Sequence, residues 1–270
     1  MSDITSWHVE AEAAEYYEAN LVPALMTPWA VATATAAGVQ PGDRVLDVAC
    51  GTGVATRAAS ALAGPGSRVV GFDLNHGMLS VARRARGDLE WRQGDAAAMP
   101  FVDGEFDRVL CQFGLMFMPD RATALAEMRR VLAPGGGLGL AVWGPIETSC
   151  PYARQAEIVE RLVGDAAAAI VRAPFVLSDP GPLVALVEAA GFDNVRLETR
   201  LGEVVYPSID GFLAGEVDAT PLAAAIRATA PDRDEQVRAE IREALRPFDR
   251  DDMVRFPCDA HLISARVTAP

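Results

Sequence analysis

Three aspartates punctuate the first third of the chain, each near the end of a short apolar run: Asp47 in "VLDVACGTG", Asp73 in "VVGFDL" and Asp95 in "RQGD". Asp73 follows Asp47 by 26 residues, about one strand-helix unit. A carboxylate at a strand end accepts from N–H and O–H groups, and small residues after it let backbone N–H groups approach a ligand. The turn "ACGTG" therefore suits an anion, helped by the positive end of the helix that follows. Phosphate is the poorer occupant, because Asp47 beside it is a like charge. The dinucleotide pattern GxGxxG also fails at its third position, where Thr56 stands after Gly51 and Gly53. An amino-acid head group fits better: its ammonium goes to Asp47, directly or through water, and its carboxylate to the turn amides. Asp73 stands where an acid takes ribose hydroxyls in nucleoside-binding folds. The pair Gly94 and Asp95 offers a carboxylate to an exocyclic amino group such as adenine N6. A ligand carrying ammonium, ribose and adenine is S-adenosylmethionine.

The elements that must position these acids are legible as repeats. Strands are expected over residues 44–48, 68–74, 89–95, 106–113 and 138–143, with helices over 54–64, 75–85 and 120–132 between them and a break at "APGGG". Strands alternating with helices of about ten residues imply right-handed crossovers and a parallel sheet covered on both faces. Residues 10–37 read as helical with a break near Pro23 and Pro28. The second half predicts a helix over 180–192, a strand over 194–201, and a helix whose apolar positions Val237, Ile241 and Leu245 share one face. The last strand, 254–267, contains Pro257, which marks an edge or bulge near its start. The expected fold is α/β: a Rossmann-like, doubly wound, mostly parallel seven-stranded sheet with an antiparallel last strand. A single domain over 1–270 is expected, with a cofactor-binding core at about 30–145, an N-terminal helical cap at 1–29, and lid helices at about 147–178 and 205–250.

Composition narrows the chemistry. All 24 basic residues are arginine, so Schiff-base chemistry and a lysine general base are excluded. The formal net charge of −13 argues against nucleic-acid and anionic-membrane partners. Cys50, Cys111, Cys150 and Cys258 are widely spaced, and with His8, His76 and His261 they suggest neither a metal site nor a disulfide framework. No basic region leads into an apolar run at the N-terminus, and no stretch reaches the roughly 18 uninterrupted apolar residues of a membrane span. A cytoplasmic location is the resulting expectation.

Taken in order, "VLDVACGTG", "VVGFDLNHGML", "RQGDAAAMPF" and "FDRVLCQFGLMFMPDRATALAEMRRVLAPGG" resemble the successive motifs of class I S-adenosylmethionine-dependent methyltransferases. The likeness is to the small-molecule branch with the ubiquinone and menaquinone C-methyltransferases and many natural-product methyltransferases; "YEANLVPALM" and "RFPCDAHLISAR" extend it more weakly. The resemblance implies that Asp47, Ala49, Gly51 and Gly53 surround the methionyl end, with Asp73 on the ribose. It puts Leu74 and Met78 on the adenine faces, although Met78 also shares a helical face with Val81 and Ala82 and would serve equally as core. Asp95 and Ala96 would meet the adenine edge, Gln112 and Phe113 the sulfonium and acceptor, and Tyr17 would close over the cofactor. Ala49 departs from the glycine of many relatives.

Methyl transfer is an in-line displacement on an already activated carbon, so alignment of donor and nucleophile does most of the work. No catalytic base is assigned. Trp7, Phe113, Met116, Phe117 and Trp143 are candidates for the acceptor pocket, an apolar set suited to a polyketide, quinone, terpenoid or aromatic compound. The alternative is a cyclase or isomerase of natural-product biosynthesis that borrows the fold without methyl transfer. The acceptor, the methylated atom and the choice between monomer and homodimer are open at this point.

Overall fold

The computed structural model describes residues 11–251 and 253–268; Trp7 and His8 lie outside them. Its centre is one sheet built from β1 (Val45–Val48), β2 (Val69–Asp73), β3 (Glu90–Gln93), β4 (Phe106–Gln112), β5 (Leu132–Trp143), β6 (Asp193–Tyr206), β7 (Asp249–Arg250) and β8 (Met253–Arg266). The order is β3-β2-β1-β4-β5-β8-β6, with the two-residue β7 paired to β8. β1 to β5 pair in parallel, and β8 runs antiparallel to both β5 and β6. The mixed sheet matches the Rossmann-like expectation, with β7 added to the seven strands foreseen.

All four residues of β1 are buried, as a strand covered by helices on both faces requires. The helices Val54–Ala63, His76–Ala85 and Arg121–Arg130 make the crossovers from β1 to β2, β2 to β3 and β4 to β5. Strand order therefore reverses between β1 and β4, and ligands bind such sheets at that switch point, beyond the carboxyl ends of the strands. Two glycines hold the nucleoside half of the sheet close. A Cβ on Gly71 would lie 2.4 Å from the Trp91 ring and one on Gly53 2.3 Å from it.

Several boundaries differ from the sequence reading for identifiable reasons. The expected break at "APGGG" lies inside β5, where glycines accommodate a register shift against β4 between Phe106 and Arg108. The N-terminal segment does not break at its prolines. Ala11–Tyr16 leads into a π-helical stretch, Tyr17–Met26, that contains Pro23, and then into Thr27–Ala37. The Thr27 N–H donates to Val22 O five residues back, and Pro28 falls in a first turn that needs no N–H from it. Pro257 sits where β8 has run past β5 and pairs only with β6, so the missing N–H costs no ladder bond on the other side.

Two further groups of helices flank β6 in the chain. Cys150–Leu162, Asp165–Arg172 and Pro180–Ala189 lie between β5 and β6; Ile209–Leu213, Pro221–Thr229 and Asp234–Leu245 follow β6. Val237, Ile241 and Leu245 are buried on one face of the last helix, as their spacing predicts. Among the described residues no single helix is long and apolar enough to cross a membrane, and no group of three or more His, Cys, Asp or Glu is placed to hold a metal ion.

Candidate functional site

The β1 strand enters its turn through two left-handed residues, Ala49 at φ 55° and Gly51 at φ 55°. For alanine that conformation costs about 1–2 kcal/mol. Gly114 leaves room for it, since a Cβ there would lie 2.5 Å from Ala49 Cβ. A Cβ on Gly51 would meet only Tyr17 Cε1, at 4.0 Å, so the space beside the Gly51 α-carbon is open beneath the Tyr17 ring. Gly51 N–H donates to Asp73 Oδ2 at 2.8 Å and Asn75 N–H to Asp73 Oδ1 at 2.7 Å. Both carboxylate oxygens are thus oriented by backbone, with lone pairs left for ligand hydroxyls. Burial raises the Asp73 carboxyl above its ordinary value, and the two N–H donors oppose the rise. Asp73 is not the helix cap; that role falls to Asn75, whose side chain accepts from Met78 N–H at 3.0 Å.

A cavity of about 540 Å³ opens beyond these strand ends. Of the residues expected at the site, Tyr17, Ala49, Gly51, Asp73, Leu74, Met78, Gly94, Asp95 and Ala96 line it, as do Phe113, Phe117 and Trp143. Leu74 is 58% exposed although apolar, a surface suited to a flat ring. Asp95 Oδ1 accepts from Ala97 N–H at 2.9 Å, which fixes that carboxylate at the same rim. Phe113, left-handed at φ 52°, stacks on Trp143 with centroids 3.8 Å apart.

Four expected site residues lie behind the wall instead. The Asp47 carboxylate is fully buried: Thr56 donates to Oδ2 at 2.6 Å, Oδ1 has no partner among the described residues, and Asp47 does not line the cavity. Burial pushes its carboxyl up to about 7, against the Thr56 hydrogen bond and with help from the Asp73 charge. The strand buries its third residue inside the sheet layer, one step back from the cavity wall. Gly53 is the left-handed N-cap of Val54–Ala63 and packs on Trp91. Gln112 is spent on the N-terminal helices, donating to Met26 O at 3.0 Å and accepting from Thr33 at 3.4 Å. Met116 is buried in the core. His261 is likewise consumed, with Nδ1 against Thr199 Oγ1 and Nε2 against Ser178 O, each at 2.8 Å.

The cavity also has lining that the sequence did not reveal: Tyr152, Gln155, Ile170, Val171, Glu216 and Leu222, all from the later helices and their connections. Tyr152 and Tyr206 hydroxyls donate to Glu216 Oε1, at 2.8 and 2.5 Å. No local motif marks them, because Tyr152 and Glu216 are 64 residues apart.

A glycine-bearing turn after β1 and an acid ending β2 at the switch point define a nucleoside-binding α/β protein. A methyltransferase domain family matches residues 45–136. The ubiquinone/menaquinone biosynthesis C-methyltransferase UbiE of Cupriavidus necator is 38% identical over 185 residues, covering 62% of this chain and 74% of that protein. The demethylmenaquinone methyltransferase of Beutenbergia cavernae is 43% identical over 124 residues, 44% of this chain; the match spans only half of that relative's length. The crystal structure of the cyclase SpnF shares the fold, with a TM-score of 0.53 at 23% identity over 91% of this chain and 82% of that one. The chain belongs to the class I S-adenosylmethionine-dependent methyltransferases.

Proposed function

We propose that the protein transfers a methyl group from S-adenosylmethionine to a small hydrophobic acceptor, of polyketide, quinone, terpenoid or aromatic type, by in-line displacement. One observation carries this reading: a single cavity joins an acid-marked rim (Asp73, Asp95) to an apolar interior (Phe113, Trp143, Ile170, Phe175). The residues fit the cofactor. The open space beside the Gly51 α-carbon under Tyr17 is a cradle that a Cβ would narrow, and the backbone-oriented Asp73 carboxylate matches a vicinal diol. Ala49 and Gly51 would hold the methionyl end, Asp73 the ribose, Leu74 and Met78 the adenine faces, and Asp95 and Ala96 its edge. When bound, the cofactor supplies a methyl carbon activated by its sulfonium. The protein's part is to hold an acceptor in line with that carbon and to exclude water, a contribution worth about 7–11 kcal/mol for well-oriented reactants. The stacked pair Phe113 and Trp143 would form the floor against which the acceptor is aligned.

Isothermal titration with S-adenosylhomocysteine should show one site per chain, weakened about 10- to 150-fold by Asp73→Ala, the loss of a charge-assisted hydrogen bond of about 1.5–3 kcal/mol. Absence of binding at millimolar ligand would sink the cofactor reading. Incubation with radiolabelled methyl donor and a source-cell extract should label an apolar product. Cofactor binding without label transfer would favour the cyclase or isomerase alternative.

A further inference from the structure

Moving a methyl group onto a hydroxyl-bearing acceptor releases one proton, and something at the site must take it. Among the described residues lining the cavity there is no histidine, arginine or lysine, and the carboxylates are Asp73, Asp95, Asp120 and Glu216. Both oxygens of Asp73 are engaged by backbone N–H groups, and Asp95 is held at the opposite, nucleoside rim. Asp120 caps Arg121–Arg130, accepting from Thr123 N–H and Thr123 Oγ1. Glu216 differs: both tyrosine hydroxyls fall on Oε1, and among the described residues nothing donates to Oε2.

Its surroundings are apolar. Tyr152 packs against Phe175, Phe212 and Phe256 at centroid distances of 5.6, 5.7 and 5.3 Å. Beside it Gln155, only 2% exposed, lines the same cavity with a buried Oε1 that has no partner among the described residues, while its Nε2 reaches Glu216 O at 3.5 Å. Glu216 Oε2 and Gln155 Oε1, two acceptors without a donor among the described residues, ask the ligand for O–H or N–H groups. An ammonium brings three donors to two acceptors among aliphatic and aromatic walls; a hydroxyl brings one.

Building on the methyl-transfer reading, we propose that Glu216 is the proton acceptor of the reaction, and that the acceptor is an otherwise apolar molecule presenting a hydroxyl to Glu216 Oε2. Tyr152 and Tyr206 are positioning residues that hold the carboxylate by its other oxygen. In the step, the hydroxyl hydrogen passes to Oε2 and the O–H bonding pair stays with the acceptor. The acceptor forms a bond to the methyl carbon, and the carbon–sulfur bond breaks with its pair on sulfur. Burial raises the Glu216 carboxyl above its ordinary range, opposed by the Tyr206 and Tyr152 hydroxyls, and the rise makes it a stronger base. The titratable groups facing it are Tyr16, Tyr152, Tyr206 and Cys258, with Asp218 on its own segment.

The test compares binding of 1-naphthol with that of 1-methoxynaphthalene to the full chain saturated with S-adenosylhomocysteine. The wild type should prefer naphthol by about tenfold or more at pH 8, and the preference should shrink as acid protonates Glu216. Glu216→Gln keeps an oxygen for the tyrosines but turns N–H groups to the cavity; it should show no preference at any pH, with S-adenosylhomocysteine affinity within about twofold of wild type. Tyr206→Phe removes one donor to the carboxylate, so its preference should survive at high pH but disappear at a higher pH than in the wild type. In the labelled-extract assay, Glu216→Gln should lower incorporation about 10²- to 10⁴-fold. Unchanged preference or unchanged labelling in Glu216→Gln overturns the proposal, as do equal binding of the two naphthalenes by wild type and tighter binding of 1-naphthylmethylammonium than of naphthol. Failure of S-adenosylhomocysteine to bind strikes the cofactor reading instead, and the naphthol comparison is then made on the chain alone.

Discussion

Asp47 shows how a residue expected at a ligand can stand behind the cavity wall rather than on it. Its type and position at a strand end pointed to a ligand contact; the fold seals it behind the turn with only Thr56 for company. The consequence is thermodynamic. Folded Asp47 keeps its proton up to about pH 7, whereas the unfolded side chain releases it near 3.8. Between those values the folded state holds more protons, so stability falls as pH rises across that window and the penalty is complete above it. Asp47→Asn should therefore flatten this decline and stabilise the protein at pH 8 by up to about 4 kcal/mol, with little gain at pH 4. Urea unfolding of both proteins at pH 4, 6 and 8 measures the difference; identical pH slopes would remove Asp47 from the account. Asp73 and Asp95, by contrast, were legible in place as well as type, because each closes or follows a strand whose far end cannot lie anywhere but the ligand side of a parallel sheet. Glu216, Tyr152 and Gln155 were not, since they converge from two separate covering segments with no spacing rule between them.

At the scale of elements, the turn after β1 is built from within as much as for a ligand. Gly53 combines φ 87° with a ring surface 2.3 Å from where its Cβ would be. Gly53→Ala should destabilise the fold by roughly 2–5 kcal/mol, the sum of left-handed strain and overpacking against Trp91. Pairing it with Trp91→Leu should recover part of that loss, because the overpacking share is relieved and the backbone share is not. Chemical denaturation of the single and double variants measures both parts; no recovery would mean that the ring contact is irrelevant. The strand-helix repeats themselves were readable because their periods are local. The π-helical turn was not: Pro23 reads as a breaker, and only packing of Leu21, Val22 and Leu25 into the core keeps the chain helical through it.

For the whole molecule, the cofactor reading predicts a stability gain by mass action. S-adenosylhomocysteine at one hundred times its Kd should add about 2.7 kcal/mol, raising Tm by about 5 °C for a chain of this length. Asp73→Ala at the same ligand concentration should keep about a tenth to a half of the shift. Differential scanning calorimetry with and without ligand decides it, and an equal shift in the variant would mean that Asp73 does not hold the ligand.

The strand order has a further consequence. The nucleoside rim belongs to β1, β2 and β3, whereas the helices that close the cavity are carried by connections of β5, β6 and β8, on the other side of the switch point. The family match ends at residue 136, ahead of all those helices. On the proposed reading, most of the acceptor wall, Phe113 and Phe117 excepted, is thus written in a stretch of the gene separable from the donor rim. Exchanging residues 144–192 or 207–248 for those of a relative should change which molecule is methylated and leave the donor half intact, which makes the fold a natural chassis for diversifying products around one fixed reagent.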